Sequence, residues 1–93
     1  MSAAITLSPE ENEQLRHAAL GALAARHPVA VTSRAISRSV DREVIFTVSD
    51  AAIESALNFL KDKGFVRFEH DTLGSEKWWT ITAEGLLQVE RFP

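Results

Sequence analysis

Three arginines recur at intervals of four residues in the first half of the chain: Arg34, Arg38 and Arg42. On a helix this spacing places all three side chains along one side. Such a row can contact the phosphates of a nucleic-acid backbone. Asp41 and Glu43 lie beside the row and neutralise part of its charge. A salt-bridged surface helix, or a contact with an acidic partner, therefore stays open as the alternative.

A helix predicted between Ser49 and Gly64 carries a second group of polar side chains. Its apolar residues repeat at helical spacing and leave an outward face of small and polar residues: Asp50, Ala51, Glu54, Ser55 and Asn58. Ser49, Ser55 and Asn58 can approach base edges in a groove of double-stranded DNA. Lys77, further along the chain, can reach a phosphate. The two carboxylates oppose this role, because phosphates repel them, so the face is alternatively the solvated side of a core helix.

Three large apolar residues near the end of the chain are candidates for contact with another protein: Trp78, Leu87 and Phe92. Successive side chains of a strand point to opposite faces, so Trp79 is expected in the core and Trp78 on the other side. Tryptophan on a surface is enriched at protein interfaces. The apolar leader at residues 5–7, or the last helix of the same chain, is an equally good cover for Trp78.

Residues for metal or catalytic chemistry are few. The chain has no cysteine, which excludes disulfides, thiolate metal sites and a cysteine nucleophile. Glu13 and His17 share one side of the first helix, but two ligands do not make a zinc site. The sequence has no glycine-rich phosphate loop and no nucleophile elbow. It predicts a protein that is not an enzyme and that has no metal, no cofactor and no small-molecule substrate.

Composition sets limits on the whole chain. Its 93 residues suffice for one domain, expected over residues 1–93, and a domain this small gains stability from forming a homodimer. No apolar run reaches the roughly eighteen residues of a membrane span, and the first residues lack a secretory pattern, so a cytoplasmic location is expected. The net charge is -3 and the pI about 5.5. Any DNA-binding face must therefore be a local basic patch on an acidic body.

The elements that position these residues begin with a well-marked helix. Ser8 and Glu11 form a capping box, and Pro28 ends the helix because the residue before proline disfavours helical angles. Residues 29–31 form a short β-prone stretch, and Thr32 is expected to cap a second helix over residues 33–40. The third helix, from Ser49, follows an apolar connector that includes residues 44–46 and is expected to be buried.

A hairpin and a short helix complete the prediction. Alternating residues at 65–70 and β-formers at 77–81 flank a turn at residues 71–75, and Thr82 begins the last helix. A lone hairpin is marginal in water and needs a helical surface beneath it. The chain is therefore predicted to be mainly α with a small antiparallel β-hairpin, as a winged helix-turn-helix: a three-helix core, a wing and a short C-terminal helix. Its core is expected to include these residues: Leu57, Leu60, Val66, Trp79 and Ile81.

The second half of the chain also carries a family pattern. A helix ends in a leucine, a charged pair, a glycine and an apolar pair; a wing follows, then an apolar–threonine step and a glycine one turn into the next helix. The matching residues are Val48-Ser49, Ile53, Leu57, Leu60, the segment Lys61 to Val66, Trp79 to Thr82, and Gly85. In these the chain resembles bacterial winged-helix regulators of the MarR and PadR type, and it also looks like small phage-encoded winged-helix proteins. The resemblance implies the winged-helix fold, which usually binds DNA.

Two functions follow. The first is a non-enzymatic winged-helix DNA-binding protein, a small transcriptional regulator or a phage or mobile-element accessory protein, whose arginine row contacts the backbone of double-stranded DNA. The alternative is a winged helix used for dimerisation or assembly with another protein, without DNA. Net acidity, the acidic face of the third helix and Trp78 favour this alternative.

Overall fold

Helices and strands follow one another in the predicted order. The computed structural model describes residues 7–70, 73–74 and 76–91. Its elements are α1 (Pro9–Arg26), β1 (Val31–Thr32), α2 (Ser33–Glu43), α3 (Asp50–Asp62), β2 (Val66–His70), β3 (Lys77–Ile81) and α4 (Ala83–Arg91). The prediction of a mainly helical winged helix-turn-helix is confirmed.

Side-chain caps fix where the helices begin. The hydroxyl of Ser8 accepts from the backbone N–H of Glu11 at 3.1 Å, and the Glu11 carboxylate accepts from the Ser8 N–H at 2.9 Å, so the predicted capping box is confirmed. Thr32 and Ser49 cap α2 and α3 through the backbone N–H groups three residues later. Each cap satisfies a backbone donor that the helix itself leaves unpaired.

Helix α2 is longer than the sequence predicted. It continues to Glu43 instead of Val40, and the N–H of Val44 still donates to the Val40 carbonyl at 3.0 Å. The extra turn matters because it places Arg42 on the same helix as the other two arginines of the row.

The predicted hairpin is one part of a three-stranded antiparallel sheet in the order β1-β3-β2. Val66 pairs with Ile81 and Phe68 with Trp79 across the hairpin. The short strand β1 pairs Val31 with Trp79 on the other edge of β3. Strand β3 is therefore held on both sides, which ties the base of the wing to the start of α2.

One core lies between the helices and the sheet. Its buried apolar residues come from α1, α2, α3 and all three strands: Leu15, Ala19, Leu20, Leu23, Val31, Ile36, Val40, Ile53, Ala56, Leu57, Leu60, Val66, Trp79 and Ile81. The five core residues predicted for the third helix and the hairpin are all buried, so this prediction is confirmed. Trp79 is 2% exposed, and its indole N–H donates to the hydroxyl of Ser33 at 2.8 Å.

The connector between α2 and α3 corrects one expectation. Residues 44–46 were expected to be buried together, but Ile45 is fully exposed. Val44 and Phe46 pack against the core, whereas Ile45 and Thr47 point to the surface. The connector is extended, so its side chains alternate between core and surface.

Two glycines allow the turns around the hairpin. Gly64 follows α3 with φ +82, a left-handed conformation that other residues rarely adopt, as expected for its place after the helix. Gly85 lies against the backbone carbonyl of Phe65, and a methyl group at this position would overlap that oxygen. Between them, the hydroxyl of Thr82 donates to the Gly64 carbonyl at 2.6 Å and accepts from the Gly85 N–H at 3.1 Å.

Candidate nucleic-acid interface

The arginine row lies on the surface of α2. Ile36 and Val40 turn one side of this helix into the core, and Arg34, Arg38 and Arg42 occupy the opposite, exposed side. The predicted common side is therefore present. The three guanidinium groups make no ion pair with another described residue.

An open cleft of about 360 Å³ separates α2 from the start of α3 and the start of β3. Three basic side chains line it, together with three carboxylates: Arg34, Arg38, Lys77, Asp50, Glu54 and Glu76. The structure thus brings two arginines of the row, the predicted lysine and the acidic residues of α3 to one place. The formal charges of these six groups cancel.

An ion pair crosses this cleft from the wing to α3. Lys77 donates to Glu54 at 3.0 Å, and the two side chains are 52% and 30% exposed. A pair this exposed adds little to stability, but it neutralises the carboxylate and holds it in place. Sequence reasoning treated Lys77 as a free cation and Glu54 as a free anion, because nothing local links residues 23 apart.

The outward face of α3 has the predicted composition. Asp50, Ala51, Ser55 and Asn58 are exposed and Glu54 is half-buried. The hydroxyl of Ser49 accepts from the backbone N–H of Ala52 at 3.1 Å and so serves as the helix cap. The five outward positions include no arginine or lysine, so this face carries oxygen acceptors, one hydroxyl and one amide.

The wing has an apolar inner side and a polar outer side at its base. The ring of Phe68 packs on that of Trp79 with centroids 5.1 Å apart. On the other side, the hydroxyl of Thr80 donates to the Glu69 carboxylate at 3.3 Å. Of the turn, only residues 73–74 are described, and both are exposed.

The three residues predicted to contact another protein differ in their position and exposure. Trp78 is half-buried on β3, on the face opposite Trp79 as predicted. Leu87 is 43% exposed on α4. Phe92 lies outside the described residues. Trp78 and Leu87 belong to different elements, so the sequence could not place them on one patch.

Sequence reasoning missed a stacked pair on another side of the molecule. The guanidinium of Arg16 lies 3.7 Å from the centre of the Phe59 ring, joining α1 to α3. Glu13 and His17 lie beside it at a small cleft of about 220 Å³. No group of three metal-binding side chains occurs in the described part of the chain, and none of the described helices has the length and apolar character to cross a bilayer.

Solved structures of bacterial regulators have the same arrangement of elements. The S. aureus MepR–DNA complex superposes with a TM-score of 0.71 at 20% identity, over 89% of this chain and 64% of that chain. Bacillus subtilis PadR in complex with operator DNA has a TM-score of 0.69 at 23% identity, over 84% of this chain and 46% of that chain. A mutant of Lactococcus lactis ZitR in its apo form has a TM-score of 0.67 at 19% identity, over 88% of this chain and 56% of that chain.

The similarity is confined to three-dimensional structure. No family model and no curated protein sequence matches the chain. The chain spans about half the length of MepR in its DNA-binding conformation, with 53% of that protein covered. The order of elements, the three-stranded sheet and the superposition together show that this chain has the fold of the MarR-type and PadR winged-helix regulators, as its sequence pattern predicted.

Proposed function

We propose that this domain binds double-stranded DNA with a surface formed by α2, the outward face of α3 and the base of the wing. The observation that carries the proposal is the exposed row of Arg34, Arg38 and Arg42 on the helix that precedes α3. In helix-turn-helix proteins this helix crosses the DNA backbone while the next one enters the major groove. MepR and PadR, whose solved structures include DNA complexes, support this use of the fold.

Each element has a distinct part in this function. The arginine row contacts phosphates, which position the protein but carry no sequence information. Ser55 and Asn58, exposed in the middle of α3, face base edges. Ser49 is the N-terminal cap of α3, and its side chain is exposed there, so it can contact a phosphate. Lys77 lies at the base of the wing, paired with Glu54, and can contact a phosphate with another of its N–H donors while this pair is kept.

The number of phosphate contacts sets the salt dependence. Three arginine contacts correspond to a slope of about −3 in log affinity against log salt, since each neutralised phosphate contributes about −0.9. Affinity should fall about 40-fold between about 50 and 200 mM salt. This is a weak dependence for a DNA-binding protein, in agreement with the acidic body and the balanced cleft.

A charge-matched pair of variants tests the proposal. In one variant Arg34 and Arg38 become alanine; in the control Arg26 and Arg91, which are exposed at the ends of α1 and α4, become alanine. Binding to a random-sequence duplex is titrated at several salt concentrations. We expect the first variant to weaken binding and to reduce the slope by about two, and the control to retain most of the affinity and the full slope. Equal losses in both variants would mean that only net charge matters, and no loss in either would contradict the proposed surface.

The biological setting belongs to the same proposal. A non-enzymatic regulator with this surface would act in the cytoplasm, where bacterial DNA lies, and a homodimer would present two such surfaces to adjacent half-sites. An accessory role in a phage or mobile element agrees equally well with the fold.

A protein-interaction role is the second candidate, favoured by the balanced charge of the cleft and by exposed apolar side chains. Leu87 on α4 and Ile45 in the connector are both on the surface. This function predicts no duplex binding at physiological salt and a defined oligomer that Trp78→Ala or Leu87→Asp weakens. A molar mass in solution equal to that of the monomer, 10.3 kDa, unchanged by either substitution, argues against a homo-oligomeric form of it.

A further inference from the structure

The first turns of the outward face of α3 offer mainly hydrogen-bond acceptors. Two carboxylates, Asp50 and Glu54, share it with Ser55 and Asn58, without any guanidinium or ammonium group among the five outward positions. Guanine presents only acceptors in the major groove, and the side chains that bind it are those of arginine and lysine. The exposed Lys61 lies in the last turn of α3, away from the helix start that meets the bases. The leading turns of this face are therefore poorly suited to guanine and better suited to bases with an amino group.

Glu54 is the carboxylate placed to meet a base. It lies on the same exposed side of α3 as Asn58, one turn earlier, whereas Asp50 lies in the first turn. Lys77 binds its Oε1 at 3.0 Å, and Oε2 has no hydrogen-bond partner among the described residues. The side chain is 30% exposed, so part of the carboxylate is open to solvent. One oxygen is thus held by the wing while the other is available.

We propose that Glu54 recognises a cytosine in the major groove by accepting a hydrogen bond from its N4 amino group. This inference rests on the proposed DNA-binding function and adds the base that α3 selects. Cytosine and adenine both carry an amino donor on the major-groove edge, but adenine places the acceptor N7 beside it. An ionised carboxylate only accepts hydrogen bonds, so N7 repels it, and cytosine is the better partner.

The ion pair with Lys77 makes this contact compatible with the DNA backbone. A free carboxylate in the groove is repelled by phosphates, which was the objection that the sequence raised against α3. Lys77 cancels that charge from 3.0 Å away and fixes the orientation of the carboxylate. Because Lys77 begins β3, the wing positions a base-contacting residue of α3.

The matched control is Glu76. It lines the same cleft and carries the same charge, but it precedes β3 and is not part of α3. Glu54→Gln and Glu76→Gln each remove one negative charge from the cleft, so both should raise the sequence-independent part of the affinity for DNA. Only the first changes a group facing the bases, and glutamine pairs with adenine rather than cytosine.

The experiment is a selection of duplexes from a randomised library by the full chain and both variants, followed by Kd measurement on duplexes that differ at the selected position. The wild type and Glu76→Gln should prefer cytosine over thymine by about tenfold, within the range of one good base contact. Glu54→Gln should lose this preference or move it to adenine. Circular dichroism of both variants should match that of the wild type, since both side chains lie at the surface.

The possible outcomes distinguish the role of Glu54 in base recognition from the DNA-binding function on which it rests. Salt-dependent binding to duplexes without any cytosine preference overturns the role of Glu54 and leaves DNA binding in place. A cytosine preference that survives in Glu54→Gln has the same consequence. Absence of duplex binding in all three proteins overturns both proposals together.

Discussion

Two glycines, Gly64 and Gly85, differ in how far the sequence predicts their structural roles. The sequence placed Gly64 after a helix because glycine is favoured there, and its positive φ confirms the reason. Gly85 was recognised only as part of a family pattern. Its cause is tertiary: the helix start passes so close to the Phe65 carbonyl that no side chain fits. A contact between residues 20 apart leaves no local signal.

Gly85→Ala is expected to destabilise the domain by about 1–3 kcal/mol, because the added methyl group must displace α4 from the backbone of Phe65. Urea denaturation measures the change in free energy of unfolding. Gly21→Ala is the matched control: it lies inside α1 with nothing within 4 Å of the new methyl group. Alanine there should stabilise the domain by up to about 1 kcal/mol. Equal effects of the two substitutions would contradict the close approach at α4.

At the scale of elements, the sequence predicted every helix and both strands of the hairpin, because each has a cap, a break or a clear alternation. It failed where the signal is weak or non-local. The sequence predicts the end of α2 at Val40, because Asp41 to Glu43 are polar and carry no core pattern, whereas the helix continues to Glu43. Ile45 was assigned to the core with its neighbours, because a run of apolar residues does not show which of them alternate outward.

The link between α2 and the wing is a further feature that only the structure shows. The hydroxyl of Ser33, the first residue of α2, accepts the indole N–H of the buried Trp79 at 2.8 Å. Ser33→Ala should cost about 1–2 kcal/mol of unfolding free energy in urea denaturation, because the buried donor loses its acceptor. In a Trp79→Phe background the same substitution should be nearly neutral, and Ser39→Ala, elsewhere on α2, should have little effect in either background. If Ser33→Ala costs as much in the Trp79→Phe background, where the indole donor is gone, then Ser33 acts through packing alone.

At the scale of the whole molecule, the arrangement of the charges matters more for nucleic-acid binding than the net charge. A net charge of -3 argues against nucleic acid when it is spread evenly. Here the arginine row occupies one side of α2, and the carboxylates of α3 face cations across the cleft. The row was predictable from spacing. The pairing of Lys77 with Glu54 was not, because it depends on how the wing packs against α3.

The most direct test of the DNA-binding surface is an NMR titration of the isotopically labelled protein with a short duplex. Binding through the proposed surface should shift the backbone signals of α2 and α3, with Arg34, Arg38, Ser55 and Asn58 among the most affected. The indole signal of Trp79 should respond as well, because its N–H is bonded to the first residue of α2. Shifts confined to Leu87 and the small cleft beside Arg16 and Phe59, or no shifts at low salt, would contradict the proposed surface.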